Sequence, residues 1–259
     1  MKSFSKVIHL KGKHMTVLGC LLAAAVMLGA VSAPAVVASA AQRQLPIYCV
    51  QRDQKMLSIS FDAAWGNEDT QQLIDILAKY DIKATFFVVG QWVDKYPESV
   101  KALSDAGHAV MNHSNTHAHM SKLSRDEILA DVNACNDKIE AVTGVRPTLI
   151  RPPYGEYDDN VVSAIRSMDM EPIQWDVDSL DWKDLSAPDI TQRVTSKVQP
   201  GSIVLFHNAA KHTPEALPGI IEALLQQGYT FVPISQLILP GECGTDYTLD
   251  HTGRQCPAA

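Results

Sequence analysis

From Lys55 onward the chain alternates short apolar, β-branched runs with amphipathic stretches of helical period, and this alternation limits its fold more than any other feature. Strands are expected over 56–61, 84–89, 108–111, 148–150, 172–175, 202–206 and 230–232. Helices are expected over 70–80, 98–106, 125–142, 159–168, 188–198 and 215–227. The third helix opens on a capping box, Ser124 with Glu127 three residues on, and stops before Gly144. Repeated βα units call for parallel strands joined by right-handed crossovers, with the helices laid over the sheet. No internal repeat or low-complexity linker divides the pattern. At 259 residues and 46% hydrophobic content the chain can bury one good core, so a single α/β domain over 55–239 is expected, after a lead-in over 42–54.

The two ends differ from this middle. Lys2, Lys6, Lys11 and Lys13 precede an uncharged stretch over 15–42 that closes on the small residues A-S-A-A-Q. A basic start, an apolar middle and an A-x-A site make residues 1–41 a secretory signal peptide, cleaved after Ala41, and place the mature chain outside the cytoplasm, secreted or in the cell envelope. The run is also long enough to span a bilayer, so an uncleaved anchor is the competing reading, and the only one that puts this chain on a membrane. Cys20 comes before most of the apolar run instead of ending it, which argues against lipid attachment there. No Asp or Glu lies in 1–41, so cleavage makes the formal charge of −7 four units more negative. Such an acidic chain is a poor partner for nucleic acid or anionic lipid. Residues 240–259 form a polar tail in which Cys243 and Cys256 can close a disulfide loop, worth about 3 kcal/mol in an oxidising exterior. Cys49 and Cys135 are expected to stay free.

Polar clusters follow the strand candidates. They are S-F-D-A-A-W-G (60–66), H-S-N-T-H (113–117), R-P-P-Y-G (151–155), D-S-L-D-W (178–182) and L-F-H-N (205–208). In a parallel βα architecture the strand ends converge on one face, so Asp62, His113, Arg151, Asp178 and His207 are expected in one site. His113 and His117 stand four apart. If their turn winds helically, both imidazoles fall on one side and can hold a divalent metal.

Five clusters in this order resemble the motifs of the polysaccharide deacetylases, the NodB-homology domain of carbohydrate esterase family four, over roughly 56–239. F-D-A-A-W-G and Q-W-D-V-D-S-L-D-W resemble in particular a sporulation-associated, deacetylase-like branch of Gram-positive bacteria. The resemblance implies a distorted (β/α) barrel of about seven parallel strands. It also implies a secreted, metal-dependent hydrolase, expected to be monomeric, that removes the N-acetyl group of an amino-sugar glycan, peptidoglycan or a chitin-like polymer.

Each part of that chemistry has a candidate. A metal, zinc or else cobalt or manganese, on His113 and His117 would polarise the amide carbonyl and acidify the attacking water. By the resemblance Asp62 is the base, Arg151 pairs with it, and the backbone N–H of Tyr154 helps hold the oxyanion. His207 is the general acid, with Asp178 orienting it and Asp181 holding the loop of Trp182. Leu205 would line an apolar pocket for the acetyl methyl, and Trp65, Tyr154 and Trp182 offer flat faces to sugar rings. His119, two residues past His117, points elsewhere on a helix.

One position departs from the pattern. Where the family has a second aspartate as a metal ligand, this chain has Ala63. The metal must then complete its shell with water, Asp62 or a side chain such as Asn112, with weaker affinity. A glycan-binding or sporulation structural protein without catalysis is the alternative reading.

Overall fold

The computed structural model describes residues 43–258. The expected signal peptide and its cleavage point lie outside them. Among the described residues no helix is long and apolar enough to cross a membrane. The strands are β1 (Cys49–Val50), β2 (Met56–Ala63), β3 (Thr85–Val88), β4 (Ala109–Asn112), β5 (Leu149–Ile150), β6 (Glu171–Pro172), β7 (Val177–Asp178), β8 (Ile203–His207), β9 (Thr230–Phe231), β10 (Tyr247–Leu249) and β11 (Arg254–Pro257). The helices are α1 (Thr70–Lys79), α2 (Gly90–Lys95), α3 (Pro97–Asp105), α4 (Arg125–Thr143), α5 (Asp159–Arg166), α6 (Ala187–Thr195), α7 (Thr213–Gln226) and α8 (Ile234–Leu237). Ser124 and Glu127 form the expected capping box on α4, and Gly144 ends it in the left-handed conformation with φ 74°.

Seven parallel strands in the order β6-β5-β4-β3-β2-β8-β7 make a curled, half-barrel sheet, the distorted (β/α) barrel expected. Their membership differs slightly from the sequence reading. The 230–232 strand is β9, which pairs only with the start of β2, and the seventh place goes to β7, two residues long and too short to show a period.

Alternation along β2 sets the layers. Leu57, Ile59, Phe61 and Ala63 face the apolar layer beneath the helices, where Phe61 stacks on Phe86 at 4.7 Å between ring centroids. Fully burying side chains of this size contributes about 1.5–3 kcal/mol each. Ser58, Ser60 and Asp62 alternate with them and are also buried, so this face of the central strand is small and polar. That leaves room inside the barrel for a guanidinium.

The lead-in and tail are part of the domain. Ile47 bridges to Ile173 and Cys49 to Ser202, so the lead-in lies across the gap between the β6 side and β8. β11 pairs with β1 in parallel and with β10 antiparallel, making a three-stranded second sheet. Gly201 permits this closure: its φ is +86°, and a Cβ there would come within 1.7 Å of the Val50 carbonyl oxygen. The disulfide expected between Cys243 and Cys256 is not formed. All four cysteines among the described residues are free thiols, and main-chain pairing to β1 holds the hairpin instead.

Candidate active site

The site is built on the ends of β2, β4, β5, β7 and β8. Asp62 closes the inward row of β2, and Arg151 follows β5 directly. Arg151 is wholly buried and donates from Nη1 to Asp62 Oδ1 at 2.7 Å. Its Nη2 donates to Ser60 Oγ at 2.8 Å and to the Gln174 carbonyl at 3.2 Å. The guanidinium also lies over the Phe87 ring, 4.3 Å from its centroid. A buried charge is tolerable only when so paired. Burial would raise the Asp62 pKa, but the Arg151 charge, helped by His113 and His207, outweighs it and holds the carboxyl below its ordinary range.

The 113–117 segment is a loop and does not wind helically. Asn112 Oδ1 accepts the Ser114 N–H at 2.7 Å, Ser114 Oγ accepts the His117 N–H at 2.8 Å, and both Ser114 and His117 have positive φ, 66° and 55°. This tight double turn, rather than helical spacing, brings the two imidazoles together with centroids 5.1 Å apart. His113 Nδ1 donates to the Arg151 carbonyl at 2.6 Å, because a carbonyl can only accept. Its Nε2 therefore faces Asp62 Oδ2, 3.5 Å away. Burial lowers the pKa of both rings, that of His117 to about 4, so both are neutral and able to ligate. His117 Nδ1 is buried without a hydrogen-bond partner.

These nitrogens suit a metal, but the rest of the shell does not. Ala63 supplies no donor. Asn112, the expected substitute, is committed: its oxygen holds Ser114, and its amide donates to the Val132 carbonyl and to Asn136 Oδ1. Among the described residues no three His, Cys, Asp or Glu side chains are grouped to hold a metal ion. The residues present do not fit a centre with three protein ligands.

On the other side of the pocket, the tuning partner of His207 is Asp181, not Asp178. His207 Nδ1 donates to Asp181 Oδ1 at 2.8 Å, while Oδ2 accepts the His207 N–H at 2.8 Å and the Thr213 hydroxyl at 2.7 Å. Asp178 Oδ1 instead accepts the Leu180 N–H at 2.8 Å. Leu180 has φ 56°, and this left-handed residue turns the D-S-L-D run so that its second aspartate, not its first, reaches the histidine. Burial would lower the His207 pKa, but the bond and charge of Asp181, with Asp62 and Asp178, outweigh it and raise the pKa.

Asp62, His113, His117, Asp178, Asp181 and His207 line one pocket of about 680 Å³, together with Trp65, Tyr154, Trp182 and Leu205, while Arg151 lies beneath its wall. Leu205 is buried in its wall, while the three aromatic rings stand 55–63% exposed, open to a ligand. Two lining or adjoining rings had no role in the sequence reading. Trp175 lies 5.5 Å from the Arg151 guanidinium carbon. His119, expected to point away, stacks on Tyr154 at 4.3 Å and 13° and contacts Glu156 through Nδ1 at 2.8 Å. It was missed because the segment is a loop, in which offset along the chain does not fix direction.

The family model described as polysaccharide deacetylase matches residues 50–173. The peptidoglycan-N-acetylmuramic acid deacetylase PdaC of Bacillus subtilis is 39% identical over 73% of the chain, which spans only 40% of PdaC. A peptidoglycan-N-acetylglucosamine deacetylase of Bacillus cereus is 32% identical over 70% of the chain and 67% of its own length. A solved pseudoenzyme of carbohydrate esterase family four from Bacillus anthracis is 40% identical, with a TM-score of 0.72 over 74% of this chain and 68% of that one. A mutant of that pseudoenzyme has restored enzymatic activity. The chain belongs to the polysaccharide deacetylase family.

Proposed function

We propose that this protein works in the cell envelope as a deacetylase-type glycan protein that takes an N-acetyl amino sugar of peptidoglycan into the pocket and supplies the acid and base of amide hydrolysis. One observation carries the reading. Asp62 and His207 stand at paired positions of adjacent strands at the pocket, the carboxylate bonded to Arg151, which lowers its pKa, and the imidazole bonded to Asp181, which raises its pKa. Simple glycan binding does not require that arrangement.

In this account Asp62, aimed by Arg151, takes the proton of the attacking water. The backbone N–H of Tyr154 steadies the oxyanion, and His207, held by Asp181, gives its proton to the departing amine so that acetate leaves. The exposed rings of Trp65, Tyr154 and Trp182 receive sugar faces. Residues 1–41 direct export. The peptidoglycan deacetylases among the relatives support the substrate class. Ala63 and the likeness to a pseudoenzyme favour a second reading, a glycan binder without turnover.

Acetate release from purified peptidoglycan and from N-acetylglucosamine oligomers, with and without added zinc, cobalt or manganese, tests the proposal. Hydrolysis that Asp62→Asn reduces by on the order of a hundredfold supports it. Binding of the same glycans with no acetate released under any metal moves the protein to the second reading.

A further inference from the structure

Beyond the paired positions of Asp62 and His207 the pairing of β2 with β8 ends, and two loops follow, one over 64–66 and one over 208–210. Ladder hydrogen bonds no longer hold these loops together, and unsupported strand-end loops open readily. A single buried side chain bridges them. The Asn208 backbone N–H donates to the Asp62 carbonyl at 3.1 Å, and its Oδ1 accepts the Ala64 N–H at 3.2 Å. Its Nδ2 donates to the Trp65 carbonyl at 2.6 Å and to the Gly66 carbonyl at 2.8 Å. The same two carbonyls accept the indole N–H of Trp92, at 3.1 Å and 2.6 Å. Asp69 Oδ2 then takes the Ala209 N–H at 2.9 Å, fixing a residue whose φ is 55°.

With both carbonyls of the Trp65–Gly66 turn drawn into the protein, the Trp65 ring is left exposed, edge-on to His117 at 5.1 Å. We infer that Asn208 is a positioning residue: its amide clamps the loop after the base to the loop after the acid and holds Trp65 as a fixed wall of the glycan pocket. The second half of this inference rests on the function proposed above. Asparagine suits the position because one group there must accept from Ala64 and also donate to two carbonyls. Aspartate has the same shape and can only accept. Alanine can do neither.

The test compares wild type with Asn208→Asp, Asn208→Ala and Trp92→Phe in two measurements on the purified protein. The first is hydrogen exchange read by segment. Both Asn208 variants are expected to speed exchange about tenfold or more over 64–66 and 208–210 together, with the amides of α4 and α7 unchanged. Trp92→Phe should act in the same direction on 64–66 and less strongly. The second is affinity for N-acetylglucosamine oligomers, which should fall about tenfold in Asn208→Asp, as in Asn208→Ala. Exchange over 64–66 that stays at the wild-type rate in Asn208→Asp overturns the clamp, and so does exchange that rises evenly through the whole chain. Loops that loosen with no change in affinity overturn the role of Trp65. A wild type that binds no oligomer counts against the proposed function, and the exchange data then decide the clamp alone.

Discussion

Asp181→Asn is the substitution whose effect the structure fixes most closely. Asp181 is buried, and its two oxygens accept from the His207 ring, the His207 N–H and the Thr213 hydroxyl. An asparagine can satisfy one side of that arrangement. Its amide nitrogen must then face a donor, and its neutral charge no longer supports an imidazolium. The His207 pKa is raised in the folded protein, so the stability it contributes is complete below about 6.5 and is lost as pH rises through the folded value. At pH 5 the variant breaks a buried charged pair and should lose about 3 kcal/mol. At pH 9 the loss should be smaller, tending as His207 gives up its proton toward that of a mismatched buried hydrogen bond, about 1–2 kcal/mol. Urea unfolding of both proteins at the two pH values measures the difference, provided the slopes agree. An equal loss at both, or a larger one at pH 9, would refute the claim that Asp181 stabilises a protonated His207.

Arg151→Met strands Asp62 in the barrel without its counter-charge and should cost about 3–5 kcal/mol in the same assay at neutral pH; a loss under 1 kcal/mol would mean water already reaches the pair. Gly201→Ala drives a methyl into the Val50 carbonyl at a positive φ and should destabilise by about 2 kcal/mol or more, with hydrogen exchange rising first over 47–50. Exchange that rises elsewhere first would contradict the closing role given to the lead-in. Acetate release should lose its base limb only below the ordinary carboxylate range and its acid limb only above about 6.5, because the Asp62 pKa is lowered and the His207 pKa raised. A single limb centred on an ordinary histidine value would show that Asp181 does not tune His207.

What the sequence made legible was whatever depends on strand period. The polar clusters fall at strand ends because β2, β4 and β8 are regular and Arg151 directly follows the short β5, so Asp62, His113, Arg151 and His207 could be placed in one site before any contact was known. What it hid depends on left-handed residues and distant pairing. Leu180 reverses the roles of Asp178 and Asp181, and Ser114 and His117 bring two rings together without a helix. Asn208 stood in the L-F-H-N cluster, but its role was hidden, because its partners at 64–66 lie more than a hundred residues away in the chain. The tail reads as polar and looped, yet its pairing with β1 depends on residues at the other end of the domain.

The central claim is that the acid and base of a deacetylase are intact here while the metal centre lacks one ligand. Ala63→Asp tests it, measured as acetate released from peptidoglycan with zinc present, alone and combined with Asp62→Asn. Ala63 ends β2, one residue past Asp62, with its methyl buried against the apolar layer, where a carboxylate has no partner unless it reaches the two imidazoles beyond the strand end. The account predicts tighter zinc binding than wild type, a rate about tenfold or more higher, and loss of that gain by on the order of a hundredfold when Asp62→Asn is added. An Ala63→Asp protein that binds zinc tightly and releases no more acetate than wild type would contradict it, because Asp62 and His207 would then not be a working acid–base pair.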